Sequence, residues 1–220
     1  MNRRRLLLGS GAAFSTVLAG CSGTQTDDGN GNGGSQPDRT SAKKPLESWK
    51  WLGSGSIMED PISIGSGLAV FDVGYEGDDF SLRVSPLEEG DPYELKIDRE
   101  YDGASATLFE GGDYVLHADG NGAQWSVEIR HPRADSGSIP ETISDDGPVV
   151  AGPFEFDSID VAHLLPRPGT EFEVTIYPAE GDSGERLTTG EGGKGEVPVD
   201  FDGVGWVDVQ TWLPWQITFD

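Results

Sequence analysis

Across the last ~170 residues, apolar and polar side chains alternate with period two, and Gly- or Pro-rich breaks interrupt the alternation every 8–12 residues or so. This pattern constrains the fold more than any other feature. A surface helix needs apolar residues at a 3.6-residue period, and no stretch here supplies a convincing one. The alternation is clear in Phe80-Leu82-Val84, Tyr114-Leu116-Ala118, Trp125-Val127-Ile129, Phe172-Val174-Ile176, Val207-Val209-Thr211 and Trp215-Ile217-Phe219. Each reads as a strand with one face on a core, so the expected fold is all-β, a sandwich or barrel.

The two halves of this region echo each other at a spacing near 90 residues. Asp78–Pro86 parallels Gly169–Pro178, and Phe71-Asp72-Val73 parallels Ile159-Asp160-Val161. Tyr114–Ile129 lines up with Gly205–Phe219: Leu116 meets Val207, Ala118 meets Val209, Trp125 meets Trp215 and Ile129 meets Phe219. Each of these two segments is expected to be a hairpin. The reading is two tandem, related antiparallel β-sandwich modules of jelly-roll type, residues 48–132 and 148–220, joined by a polar linker at 133–147.

The N-terminal segment carries the only motif with a specific chemical meaning. Arg3, Arg4 and Arg5 precede the apolar run Leu6–Leu18, whose 13 residues are too few to cross a ~30 Å hydrocarbon core as a helix. Basic start, short apolar middle and small residues before a cut site describe a signal peptide, residues 1–20. Arg3 and Arg4 followed by Leu6 and Leu7 resemble a twin-arginine export signal. Leu18-Ala19-Gly20-Cys21 resembles a lipobox, the cleavage and lipidation site of exported lipoproteins. Cys21 is the only cysteine, so an intrachain disulfide is ruled out. Two acyl chains give stable membrane attachment where one is marginal. Residues 21–47 are then the lipidated cysteine and a flexible linker, too poor in apolar residues to offset the entropy of ordering. The expected location is the cell membrane, lipid-anchored, on its extracellular face.

Cleavage after Gly20 would remove three arginines and no acid, taking the formal charge from −24 to −27. Only five basic residues are lysines. Acid-rich, Lys-poor surfaces look like those of haloarchaeal proteins, where a Debye length of about 3 Å near ~1 M salt screens the repulsion. Nucleic acid and anionic lipid headgroups are poor partners for such a surface.

Gly112-x-Tyr114-x-Leu116, then Trp125-x-Val127-x-Ile129 and Pro132, resembles a module of haloarchaeal and bacterial exported lipoproteins. Tyr101-Asp102-Gly103 and Gly65-Ser66-Gly67 fit the same pattern. The second module is similar but has Gly205 in place of the tyrosine. The resemblance implies fold and location. It transfers no functional site, because its motifs are core and turn residues.

Strand parity gives one candidate ligand platform. Gly205, Val207, Val209 and Thr211 share the core face, continued by Trp215, Ile217 and Phe219. Trp206, Asp208, Gln210 and Trp212 fall on the other face, where two tryptophans flanking polar groups suit a sugar ring or a protein partner. The competing reading packs Trp206 against module one or the Trp49/Trp51 segment and leaves Trp212 to cap a turn with Leu213-Pro214. Catalytic constellations are not found. Gly181-Asp182-Ser183-Gly184 and Ala162-His163 resemble a chymotrypsin-like nucleophile and histidine site. However, Glu185 stands where glycine is needed, and 20 residues cannot hold the intervening barrels. His117, His131 and His163 lack the i, i+4 spacing of a helical zinc site. No cofactor is expected. Among ions Ca²⁺ would suit Asp78-Asp79 and Asp98…Asp102 best, because hard cations take oxygen ligands. The expected function is a non-catalytic binding or structural lipoprotein, its partners the membrane through Cys21 and a glycan or an envelope protein. The alternatives are a carbohydrate-binding module and, more remotely, a hydrolase with its site between modules.

Overall fold

The computed structural model describes residues 48–77, 79–97, 101–169, 171–188 and 195–220. The signal segment, Cys21, the linker to residue 47, Asp78 and Asp98 lie outside them. All regular structure among the described residues is β-strand.

The first half contains β1 (Ser48–Met58), β2 (Ile62–Ile64), β3 (Gly67–Tyr75), β4 (Phe80–Pro86), β5 (Tyr93–Ile97), β6 (Tyr101–Phe109) and β7 (Gly112–Arg130). At 19 residues β7 is long enough to serve both faces of a sandwich. Its residues 112–119 pair with β4, β2 and the end of β1, and its residues 124–130 pair with β3 and the start of β1. Between them the chain turns a corner at Asn121 (φ 47°) and Gly122 (φ 89°), where the Asp119 carboxylate accepts the Asn121 N–H at 2.9 Å. The second half contains β8 (Thr142–Asp145), β9 (Val149–Glu155), β10 (Val161–Leu165), β11 (Glu173–Pro178), β12 (Glu185–Thr188), β13 (Gly195–Pro198), β14 (Val204–Gln210) and β15 (Trp215–Phe219). They form two four-stranded sheets, β13-β10-β15-β8 and β12-β11-β14-β9.

The internal repeat holds strand for strand. Leu82 pairs with Ala118 and Val84 with Leu116 in module one; Val174 pairs with Val209 and Ile176 with Val207 in module two. Trp51 pairs with Val127 as Ile143 pairs with Ile217. If β1 and β7 are each counted as two strands, and β2 is taken with the second part of β1, each module has eight strands. Its two sheets run 1-8-3-6 and 2-7-4-5, the jelly-roll order. Each sandwich closes on its own core. Phe71, Phe80, Leu82, Leu116 and Ile129 fill the first, and Phe156, Leu164, Phe172, Ile176 and Ile217 fill the second, all essentially inaccessible to solvent.

Three expectations are corrected. The two segments expected to be hairpins are corners instead: β14 and β15 lie in different sheets, as do the two parts of β7. Alternating parity looks the same whether a chain returns within one sheet or crosses to the facing one. Second, Phe71 corresponds to Ala162 rather than Ile159. Phe71 pairs with Ile129, and Ala162 with its counterpart Phe219. Ile159 precedes β10 in a turn closed by its N–H on Phe156 O (2.9 Å); its buried side chain mimics the strand period. Third, the segment 133–147 is not merely a linker. It contains β8, an edge strand of module two, and Ser138 bridges Phe154 on β9.

The Gly205 departure also has a cause. In module one the Tyr114 ring packs edge-on against Phe109, centroids 5.0 Å apart. In module two a Cβ on Gly205 would come within 2.9 Å of the Phe201 ring, so Phe201 occupies the space that a side chain there would need.

Candidate functional site

The two modules meet along a third apolar cluster. Leu68 and Val70 of β3 and Ala104 and Ala106 of β6 receive the Trp206 indole, which is only 5 % exposed. Val150, Tyr177 and Ala179 from module two and Leu108 and Ala134 pack around it. The small side chains at 104 and 106 let the β6 backbone come close. On the other side β9 makes room by a register shift opposite Trp206, where a Cβ at Gly152 would lie 2.8 Å from the indole.

The polar contacts at this seam are backbone contacts of one strand. β6 is the outer strand of its sheet, so its free edge presents unpaired N–H and C=O groups, which are a liability if left open. Module two meets them. Ala104 N–H donates to Pro148 O (3.2 Å), Gln210 Nε2 donates to Ala104 O (3.0 Å), and Ala106 N–H donates to Asp208 Oδ2 (3.1 Å). Gln210 Nε2 also donates to Asp208 Oδ1, tying the two side chains together. Asp208 is 4 % exposed. Burial pushes its carboxyl up to about 7, against the pull of its hydrogen bonds to Gln210 and Ala106. Tyr177 is pushed up to about 12, first by burial and then by the Asp208 charge. Burial also raises Tyr93.

The predicted ligand platform is therefore overturned. Trp206 and Asp208 face module one, Gln210 is half-buried against β6, and Trp212 alone is substantially exposed, at 36 %, in the β14–β15 connection. Side-chain parity was read correctly, since Val207, Val209, Thr211, Trp215, Ile217 and Phe219 are all buried. What alternation could not show is that the opposite face has a cover of its own. A signal for that cover was present: Leu68-Ala69-Val70-Phe71 is an unbroken apolar run, the mark of a strand buried on both faces.

Beside the seam lies a cleft of about 600 Å³. Leu68, Leu108, Ala134 and Ala179 contribute apolar lining, and Glu110, Arg133, Asp135, Glu180 and Asp182 the charged part. His131 also lines it, buried and edge-on to Trp49 at 5.9 Å. Elsewhere, His163 sits on β10 with its Nε2 2.7 Å from Asp220, while Ser183 is exposed in the turn between β11 and β12 in the facing sheet. These two are thus placed by separate sheets and form no dyad. Among the described residues no group of three or more His, Cys, Asp or Glu side chains is arranged to hold a metal ion. Asp78 and Asp98, two of the residues considered for Ca²⁺, are outside the described set. No protein-family model matches this chain, and no curated protein matches it either.

Proposed function

We propose that this chain is an exported lipoprotein, anchored through a lipid on Cys21 to the extracellular face of the cell membrane, whose two jelly rolls form a non-catalytic binding or structural body. The observation that carries the binding version is the cleft at the seam. Its volume lies within the ~300–1,000 Å³ typical of ligand sites, and its lining combines apolar and charged groups from both modules. A fold alone implies no activity, so the argument rests on this concavity and on the lipobox-like Leu18–Cys21. A glycan or an envelope protein is the expected class of partner. The acid-rich composition suits a high-salt exterior.

The anchor is tested by Cys21→Ser. The variant is expected to take up no labelled acyl chain and to keep residues 1–20, and a native chain that takes up no acyl label on Cys21 would end the lipoprotein reading. The cleft is tested by placing bulk in its mouth with Glu110→Trp and Glu180→Trp, both at exposed positions. Envelope glycan or protein captured at high salt by the native chain should be lost by the blocked one. Equal capture would move the binding face elsewhere.

A further inference from the structure

Asp208 and Gln210 are more than interface residues. Together they perform the role of a missing neighbouring strand, meeting the edge of β6 with an acceptor at Ala106 and a donor at Ala104. We infer that this pair is a proton-sensitive clasp, through which module two holds the open edge of module one more firmly in acid than at neutral pH.

The geometry gives the direction. Asp208 is enclosed by four elements of the two modules, and among the described side chains none of them offers it a cation. β6 presents the Ala104 and Ala106 backbone, and β9 presents Val150. β11 contributes Tyr177 and Glu173, the latter already paired to Arg186 at 2.7 Å; β5 contributes Tyr93. The tyrosines stay neutral throughout the range that matters, and Glu173 adds negative charge. An ionised Asp208 is therefore a buried anion held by hydrogen bonds alone, an arrangement that costs free energy. Exposed by opening of the seam, the same carboxyl would lose its proton near its ordinary 3.8; enclosed, it keeps the proton up to about 7. Below the lower value both states are protonated and the clasp is at full strength. Between the two, closure takes up a proton, so its equilibrium constant falls roughly tenfold per pH unit. Above about 7 the loss is complete and levels off.

Amide hydrogen exchange on the full chain at fixed high salt reads the clasp directly. After correction for the intrinsic rise of exchange with pH, protection at Ala104 and Ala106 should fall about tenfold per unit from pH 5 to pH 7. Core amides of β3 and β7 should not follow. Asp208→Asn has nearly the same shape and cannot ionise. Its NH2 cannot accept, so it keeps one of the two acceptor oxygens, which can still face Ala106 N–H, and its edge protection, even if lower, should be flat with pH. The proposal is overturned if wild-type protection at these two amides does not change with pH, or if Asp208→Asn keeps the wild-type slope. Should the variant fail to fold, direct carbon NMR titration of the Asp208 carboxyl in the native chain decides. A midpoint near 4 refutes the clasp, and a midpoint near 7 supports it.

Discussion

Single residues decide what each face of this protein is for, and a face cannot be judged exposed from one strand alone. Trp206 has the parity of a surface residue and the burial of a core residue, because Ala104 and Ala106, a hundred positions earlier, leave room for it. Truncating it would open a large hole between the modules. Trp206→Ala should cost about 3–5 kcal/mol in denaturant unfolding, the range for deleting a buried aromatic ring. Loss of binding without loss of stability would return this residue to a ligand-contacting role. Gly53 is fixed by a similar close approach: a Cβ there would fall 2.4 Å from the Trp125 ring, which cannot retreat into a filled core. Gly53→Ala should destabilise by about 1–3 kcal/mol, the usual cost of overpacking. Nothing in the sequence around Gly53 marks it, since its partner is 72 positions away.

At the level of elements, alternation and the ~90-residue echo made the strands legible, while the connections between them stayed hidden. Period two reports which side of a strand is buried, but not which sheet the next strand joins. The corner is nonetheless built the same way in both modules. Trp125 Nε1 donates to Gly55 O at 3.0 Å and Trp215 Nε1 to Gly147 O at 2.8 Å, each at the glycine where the first strand of the module passes from one sheet to the other. The two tryptophans aligned from sequence are thus equivalent down to a hydrogen bond. Trp125→Phe and Trp215→Phe should therefore lower stability by similar amounts, about 1–3 kcal/mol each, mainly by stranding a carbonyl. A large inequality in their thermal unfolding would show that only one corner depends on its tryptophan.

Over the whole molecule, charge and symmetry set different limits. Thirty-nine acids against fifteen Lys and Arg leave most of the surface repelling itself, and surface ion pairs such as Arg130–Asp72 and Arg83–Glu94 offset little of it. Circular dichroism should show a lower melting point at ~0.1 M salt than near ~1 M, where the Debye length shrinks to about 3 Å; an unchanged melt would argue against a high-salt habitat. Two copies of one unit joined head to tail pose another problem. Such contacts do not close on themselves, and if every unit offered both halves of the joint the chain would template its own endless stacking. Here the socket is found on one copy only. In the register that equates Phe71 with Ala162, the positions of Ala104 and Ala106 are taken in module two by Glu196 and Pro198. A carboxylate stands where the indole would need a small side chain, and proline has no N–H to give where Ala106 gives one. Module two thus carries the plug without a matching socket, and a third unit could not dock on it as module two docks on module one.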